Sequence, residues 1–194
     1  MNKRISLTMQ AHTVIQQHLR IGGMAIDATT GNGHDTLFLA EQVGVTGKVF
    51  GFDIQQQAIE STQTRLATAN ITNTQLFHSS HDKLEQCIPT EFHGKINAIM
   101  FNLGYLPGSD KSIITQTKSS LLAVQQSLSL LDNSGIITIA AYPGHSGGDK
   151  ETDAIKQWSE QLEKTKYTVN TAFSSDKETA PRLYIIQKIT PTTS

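Results

Sequence analysis

The feature of this sequence that most constrains its fold is the regular alternation of short apolar segments with longer amphipathic ones. The apolar segments have the length of strands buried on both faces, and the amphipathic segments repeat apolar residues at three- and four-residue steps, as helices do. We predict helices over 8–20, 34–43, 55–69, 113–131 and 150–164, and strands over 23–28, 48–53, 74–78, 96–102, 135–142, 167–173 and 183–189. Such alternation favours a mostly parallel sheet with helices on both faces.

The last two predicted strands have no helical pattern between them, only the polar segment 174–182. Because parallel strands need a long crossover, this pair is expected to run antiparallel. The sequence therefore predicts an α/β fold with a seven-stranded sheet, mostly parallel, with an antiparallel last strand. Its 194 residues suit one domain over 1–194, on which the helical segment 1–20 packs.

Composition restricts the classes of function. A formal net charge of −1 argues against the dense basic surface of a protein that grips nucleic acid without sequence preference. A local RNA-binding patch could still be formed by Lys3, Arg4 and Arg20. These residues could equally well be ordinary cations scattered over the surface. Cys87 is the only cysteine, and no segment has the apolar length of a signal sequence or a membrane span. We expect a cytoplasmic protein that does not associate with membranes.

The turn after the first strand, Asp27-Ala28-Thr29-Thr30-Gly31-Asn32-Gly33, has the composition of a nucleotide-binding loop. Gly31 and Gly33 permit positive φ and let a ligand approach the backbone closely. Asp53 ends the second strand, where an acidic residue typically holds ribose hydroxyls. A strand–helix turn that binds nothing is the alternative, and this combination of features disfavours it.

Two cofactor classes use such a loop, and the charges around it separate them. Thr36 stands where a dinucleotide-binding loop has its third Gly or Ala. Asp27 and Asp35 flank the turn, where they would repel a pyrophosphate but would suit the ammonium and sulfonium groups of S-adenosylmethionine. The sequence therefore predicts S-adenosylmethionine, and an NAD-dependent oxidoreductase is the rival interpretation.

The turn after the fourth strand, Asn102-Leu103-Gly104-Tyr105, resembles a variant of the Asn-Pro-Pro-Tyr motif of amino-group methyltransferases. Methyl transfer is an in-line displacement, so the lone pair of an acceptor amine must point at the methyl group. Asn102 and a neighbouring carbonyl can accept the N–H bonds of the amine, and Tyr105 can stack on an unstacked base. A plain turn with Asn102 as a cap is the alternative.

Histidines follow two further strands. His145 lies in the loop 142–148, where it is a candidate for substrate contact or proton transfer, or else a surface histidine. His78, His81 and Asp82 follow the third strand, at the position where class I methyltransferases contact adenine. The spacing of the histidines indicates no metal site.

Four stretches, 27–40, 51–55, 101–111 and 142–148, together resemble the rRNA methylase family of small class I methyltransferases, in the family's order and across nearly the whole chain. The family includes the bacterial enzyme that methylates the amine of 5-aminomethyl-2-thiouridine at the wobble position of tRNA. Ser109 and the segment 174–181 depart from the family's pattern, which leaves the exact RNA substrate open.

The resemblance implies a Rossmann-like domain that uses S-adenosylmethionine to methylate an amine in RNA, in the anticodon region of tRNA by preference. An rRNA substrate, a small-molecule substrate and a non-catalytic RNA-binding module are the alternatives, and the oligomeric state is open, with a homodimer among the options. The cofactor-binding residues so implied are Asp27, Thr29, Gly31, Asn32, Gly33, Asp53, Ile54, Gln55, His81, Asp82 and Asn102. The catalytic residues so implied are Asp35, Asn102, Tyr105 and His145.

An alkyl amine is mostly protonated at neutral pH, since a lysine-like amine titrates near about 10.4. An ammonium has no lone pair, so the site must remove a proton before transfer. We expect Asp35 to orient the amine and accept the proton, with His145 as the second candidate for that role. Asn102 would orient the amine and Tyr105 would pack on the base.

Overall fold

A computed structural model describes residues 6–104, 115–144, 147–175, 177 and 179–189 of the chain. The elements within these ranges are, in order, α1 (Leu7–His18), β1 (Met24–Asp27), α2 (His34–Val43), β2 (Lys48–Asp53), α3 (Gln56–Thr68), β3 (Thr74–His78), α4 (Leu84–Cys87), β4 (Ile96–Leu103), α5 (Thr117–Leu130), β5 (Leu131–Ala141), α6 (Gly148–Glu160), β6 (Tyr167–Phe173) and β7 (Arg182–Lys188). Short 3₁₀ turns at His81–Lys83 and Thr90–Phe92 flank α4.

The strands form one seven-stranded sheet in the order β3-β2-β1-β4-β5-β7-β6. Neighbouring strands from β3 to β5 pair in parallel, and β7 pairs antiparallel with both β5 and β6. The predicted fold class, with its antiparallel last strand, is therefore confirmed. The order reverses at β1, where β2 lies on one side and β4 on the other, and this is the point at which open α/β sheets bind ligands.

Both faces of the sheet are apolar because successive side chains of a strand point to opposite faces. Ile26 and Phe50 face the side covered by α4, α5 and α6, whereas Ala25 and Val49 face the side covered by α1 and α2. α3 packs beside α2, against β2 and β3. Helices on both faces, as predicted, leave the carboxyl ends of the parallel strands as the open edge.

The fully buried Ile15 of α1 belongs to the same apolar cluster as Leu39 of α2 and Ile136 of β5. Burial of a side chain of this size contributes about 2 to 3 kcal/mol. This packing fixes α1 across the sheet, on the side where α2 begins. The N-terminal helix therefore lies within reach of the open edge.

The predictions of local structure around α5 and β5 are wrong in detail. β5 begins at Leu131 rather than at 135, because Leu131 pairs with Ile96, and the helix before it ends at Leu130. The buried face of α5 includes Ser120 and Ser127, whereas the apolar side chains of Leu121 and Leu128 are only partly buried. The two serine hydroxyls are satisfied by hydrogen bonds within the protein, which allows polar residues to be buried there.

α4 was not predicted, because its four residues are too few to show helical periodicity. No helix in the described part of the chain is long and apolar enough to cross a membrane.

Candidate active site

A cavity of about 930 Å³ opens at the carboxyl edge of the sheet, around the point where the strand order reverses. Its wall is formed by the loops that follow the five parallel strands, together with the beginning of α5 and one residue of α1. A second hollow, of about 1240 Å³, lies between the end of α6 and strands β6 and β7, and none of the predicted site residues that the structure describes line it.

The loop after β1 is held in place by α3. Gly33 has φ +77°, and a Cβ atom there would lie 2.9 Å from Cα of Thr62, so only glycine fits. The hydroxyl of Thr62 donates to the carbonyl of Gly31 (3.2 Å), and Nε of Arg65 donates to the carbonyl of Asn32 (2.7 Å). The loop is thus preorganised, with Thr29, Gly31 and Asn32 on the cavity wall and Gly33 behind it.

Asp53 joins this loop to the end of β2. Its two carboxylate oxygens accept hydrogen bonds from the backbone N–H groups of Gly31 and Gln55, each at 2.9 Å. Each oxygen retains a lone pair toward the cavity, which is the arrangement that a pair of ribose hydroxyls requires. Ile54 and Gln55 continue the wall beside it.

Asp27 lies behind the wall rather than on it. Its carboxylate is fully buried and accepts hydrogen bonds from the N–H of Thr29 (3.1 Å) and the hydroxyl of Thr36 (2.6 Å). Burial, and next the negative charge of Asp35, raise the pKa of Asp27 to about 7. The structure therefore places Asp27 as a support of the loop, without direct access to the cavity.

His81 and Asp82 line the cavity after β3. Burial lowers the pKa of His81, so its ring is neutral, and a hydrogen bond to the backbone of Ala28 opposes this shift. Among the described residues, neither Nε2 of His81 nor Oδ1 of Asp82 has a hydrogen-bond partner, although both are buried. Buried polar atoms of this kind need a partner, and an adenine offers N–H donors and ring-nitrogen acceptors. His78, by contrast, bonds the carbonyl of Ile54 outside the cavity.

The loops after β1 and β4 lie side by side. The backbone N–H of Asn102 donates to the hydroxyl of Thr29 at 2.7 Å. The side-chain amide of Asn102 donates to Oδ2 of Asp35 at 2.6 Å, and both residues line the cavity. The structure therefore brings the predicted cofactor loop together with Asp35 and Asn102, two of the predicted catalytic residues, at one edge.

Sequence reasoning missed the contribution of α1. Nε2 of His12 donates to Oδ1 of Asp35 at 2.7 Å, and the ring of His12 stacks on Phe38 with centroids 3.7 Å apart. Thr8, one helical turn earlier, lines the cavity beside Tyr142. Burial, and next the charge of Asp35, raise the pKa of Tyr142, while a hydrogen bond with Thr8 opposes this. No feature of the sequence near His12 indicates this role, because its partner Asp35 lies 23 residues away in the chain.

Two predicted site residues, Tyr105 and His145, lie outside the described residues, as do Lys3 and Arg4 of the suggested basic patch. Arg20, the third member of that patch, is exposed. Within the part of the chain that the structure describes, no cluster of three or more His, Cys, Asp or Glu side chains is arranged to hold a metal ion.

The cavity fits S-adenosylmethionine better than a dinucleotide. Asp35, Asp53 and Asp82 line it, and Lys118 is the only lysine or arginine on its wall among the described residues. The carboxylates would repel the negative charge of a pyrophosphate, whereas they would attract the positive charges of a sulfonium and an ammonium. The buried oxygen of Asp82 without a partner matches the amino group of an adenine.

The family model described as "Putative rRNA methylase" matches residues 49–188. The chain belongs to this family. A relative from Arabidopsis thaliana, named as a chloroplastic tRNA (mnm(5)s(2)U34)-methyltransferase, is 36% identical over an alignment of 168 positions, and the match covers 82% of this chain and 61% of the relative. The chain thus spans less than two thirds of the length of the curated relatives that it matches.

Two solved structures resemble the chain over nearly its whole length. One, from Clostridium thermocellum and described as a putative rRNA-methylase, is 34% identical with a TM-score of 0.90, and the match covers 96% of this chain and 100% of that one. The other, from Streptococcus mutans and described as a putative methyltransferase in complex with SAH, is 35% identical with a TM-score of 0.85, and the match covers 97% and 100% of the two chains. These comparisons confirm the predicted family, and they agree with the predicted methyltransferase class and with S-adenosylmethionine as the cofactor.

Proposed function

We propose that this protein methylates a primary amine in RNA, and specifically the 5-aminomethyl group of the wobble 2-thiouridine in tRNA. The observation that carries the proposal is the hydrogen-bonded pair of Asp35 and Asn102 beside the cofactor loop. A carboxylate and an amide oxygen are acceptors for the N–H bonds of an amine. The name of the Arabidopsis relative supports a wobble uridine of tRNA as the substrate.

The cofactor side of the cavity offers one partner for each part of S-adenosylmethionine. Asp53 would hold the ribose hydroxyls, Asp82 the adenine amino group, and the backbone at Thr29 and Gly31 the methionyl end. When bound, the cofactor supplies a methyl group on a positively charged sulfur. We propose that Asp27 contributes indirectly, by fixing Thr29 from behind the wall.

On the acceptor side, Asp35 is the group that would contact the substrate's ammonium and take its proton. Its carboxylate is nearly buried, which weakens competition from water. The amide N–H of Asn102 is engaged by Asp35, so its Oδ1 is the atom that would accept an N–H of the amine. Together, two fixed acceptors would aim the nitrogen lone pair along the line of displacement.

Tyr105 and His145 stay predictions for this site, as the residue that stacks on the base and as the second proton acceptor. A single domain over 1–194 and a cytoplasmic location are likewise proposals. The single cysteine, Cys87, supports a reducing compartment.

The test is nucleoside mass spectrometry of tRNA from a strain that lacks this gene, before and after incubation with the purified protein and S-adenosylmethionine. We expect 5-aminomethyl-2-thiouridine to accumulate in that strain and to be converted to its N-methyl form on incubation. A methyl group that enters rRNA or a small molecule, while the tRNA is unchanged, would replace the proposed substrate with one of the alternatives.

A further inference from the structure

Helix α1 contacts the active-site carboxylate of Asp35 through the side chain of His12. His12 lies on α1, outside the residues 49–188 that the family model matches. Its Nε2 contacts Oδ1 of Asp35 at 2.7 Å, while Asn102 contacts the other carboxylate oxygen at 2.6 Å. The carboxylate of Asp35 is therefore held from both sides by donors that come from two different chain segments.

The ring of His12 is held in place by stacking as well as by its hydrogen bond. It stacks on Phe38, with ring centroids 3.7 Å apart and an angle of 4° between the planes. Phe38 lies three residues after Asp35 on α2, so the two side chains share one helical face. Phe38 thus packs on the face of the imidazole, and Asp35 accepts a hydrogen bond at its edge. Both residues lie within one turn of α2, so the ring and the carboxylate fix each other's positions.

We propose that His12 is a positioning residue for methyl transfer, which holds Asp35 in the orientation that receives the acceptor amine. The inference rests on the proposed function, because it assigns His12 to the same reaction. A carboxylate that accepts one hydrogen bond at each oxygen cannot rotate about χ2 without breaking both. The lone pairs left on these oxygens then point in fixed directions into the cavity, where they can receive the substrate's N–H groups.

The geometry makes His12 a hydrogen-bond donor rather than the group that meets the substrate. Asp35 and Asn102 line the cavity, whereas His12 stands behind Asp35, with about a quarter of its side chain exposed. In the reaction, Asp35 takes the proton of the ammonium, and the freed lone pair forms the N–C bond while the S–C bond of the methyl donor breaks. His12 keeps its own proton throughout, since its part is to orient Asp35.

This role predicts which substitutions keep activity. His12→Ala removes the donor, leaves Oδ1 of Asp35 without its partner and frees the carboxylate to turn. His12→Gln keeps an N–H donor near the position of Nε2. We expect kcat of His12→Ala to fall by about 10- to 100-fold, with KM for the RNA nearly unchanged. We expect His12→Gln to recover most of the loss.

The experiment compares the wild-type protein, His12→Ala, His12→Gln and the matched control His18→Ala on 5-aminomethyl tRNA. His18 lies on the same helix, where its ring bonds the carbonyl of Val14, so its variant reports on damage to α1. Calorimetric titration with S-adenosylhomocysteine and thermal unfolding are measured on each variant. Unchanged cofactor affinity in His12→Ala, together with full activity of His18→Ala, locates the loss in the positioning of Asp35.

A double-variant cycle adds a second criterion. If His12 acts through Asp35, then His12→Ala lowers the residual rate of Asp35→Asn no further. Full activity of His12→Ala, failure of His12→Gln to recover the rate, or an additive effect in the cycle would each overturn the inference. Absence of amine methylation by the wild-type protein would overturn the proposed function, and with it the part of His12 in that reaction.

Discussion

The two halves of the cavity are held together in different ways. In the cofactor half, Asp53 accepts hydrogen bonds from the backbone N–H groups of Gly31 and Gln55. In the acceptor half, Asp35 is bound by the side chains of His12 and Asn102, which lie 23 and 67 residues away in the chain. In the cofactor half, side chains thus bind backbone groups of the loop, whereas in the acceptor half side chains bind one another.

This difference suggests a division of labour. A site that presents backbone N–H groups and a loop of fixed φ is rigid before the ligand arrives, which favours tight binding. The orientation of a carboxylate that is bound by side chains depends on those partners, which suits the acceptor half, where the methyl transfer would take place. The two halves should therefore respond separately to substitution.

The largest effect is expected in the acceptor half. Asp35→Asn should lower the single-turnover rate of methyl transfer by about 10³-fold, because it removes the proton acceptor. The affinity for S-adenosylhomocysteine, measured by calorimetry, should change far less than this rate. Asp153→Asn, which alters an exposed carboxylate on α6, is the control and should be fully active. A wild-type rate in Asp35→Asn would show that the acceptor half lies elsewhere.

The next effect tests whether the contact between Gly33 and α3 holds the cofactor loop in place. Gly33→Ala should lower the free energy of unfolding by about 3 kcal/mol, since the new Cβ is strained at positive φ and collides with Thr62. Gly94 also has positive φ, but a methyl group added there would meet nothing within 4 Å, so Gly94→Ala should cost only about 1 kcal/mol. Urea unfolding measures both. Equal losses would mean that α3 does not clamp the loop.

A smaller effect separates binding from chemistry. Asp53→Asn should raise the dissociation constant of S-adenosylhomocysteine by about 10- to 100-fold, because charge-assisted hydrogen bonds to ribose are lost. The rate at saturating cofactor should stay near the wild-type value. Asp132 is a matched control, since it accepts the N–H of the residue two positions later, as Asp53 does, but lies far from the cavity. Equal cofactor affinity in Asp53→Asn and Asp132→Asn would remove Asp53 from the ribose site.

The last effect concerns Asp27, the buried carboxylate behind the cavity wall. The pKa of Asp27 is raised to about 7 from 3.8, so the folded protein binds more protons than the unfolded chain between these values. The contribution of Asp27 to the free energy of unfolding should therefore fall as pH rises through this window, by at most about 1.4 kcal/mol per pH unit. Urea unfolding of the wild-type protein and Asp27→Asn from pH 4 to 8 measures the difference.

Asp35→Asn sharpens this last measurement. The charge of Asp35 contributes to the raised pKa of Asp27, so its removal should move the upper end of the window to lower pH. A pH dependence of stability that is the same with and without Asp27 would show that the buried carboxylate is not the source.

Much of the cofactor half could be predicted because its signals are local. Gly31 and Gly33 indicate a turn of positive φ, and an acidic residue at the end of β2 is recognisable from the strand that precedes it. The bounds of β2, β3 and β6 were correct to the residue for the same reason, since an apolar or β-branched run and its flanking turns lie within a few positions.

The acceptor half was only partly foreseen. Asp35 and Asn102 were named from the motifs around them, but nothing near His12 in the chain marks it as a partner of Asp35. The buried Ser120 was likewise unexpected, because its hydroxyl is satisfied by Glu151, which lies 31 residues away. A hydrophobicity pattern predicts that polar residues of this kind are exposed. Their burial is explained only by the hydrogen-bond partner that the fold supplies.

The order of apolar and polar residues was enough to specify the alternation of strands and helices, the mostly parallel sheet that follows from it, and the loop of glycines after β1. These features follow from backbone sterics and from burial on a sheet, which act over a few residues. The orientation of Asp35 and the position of Asp27 behind the cavity wall were decided only when α1, α2 and β4 packed together. Hydrogen bonds between distant side chains depend on distances that exist only in the folded chain.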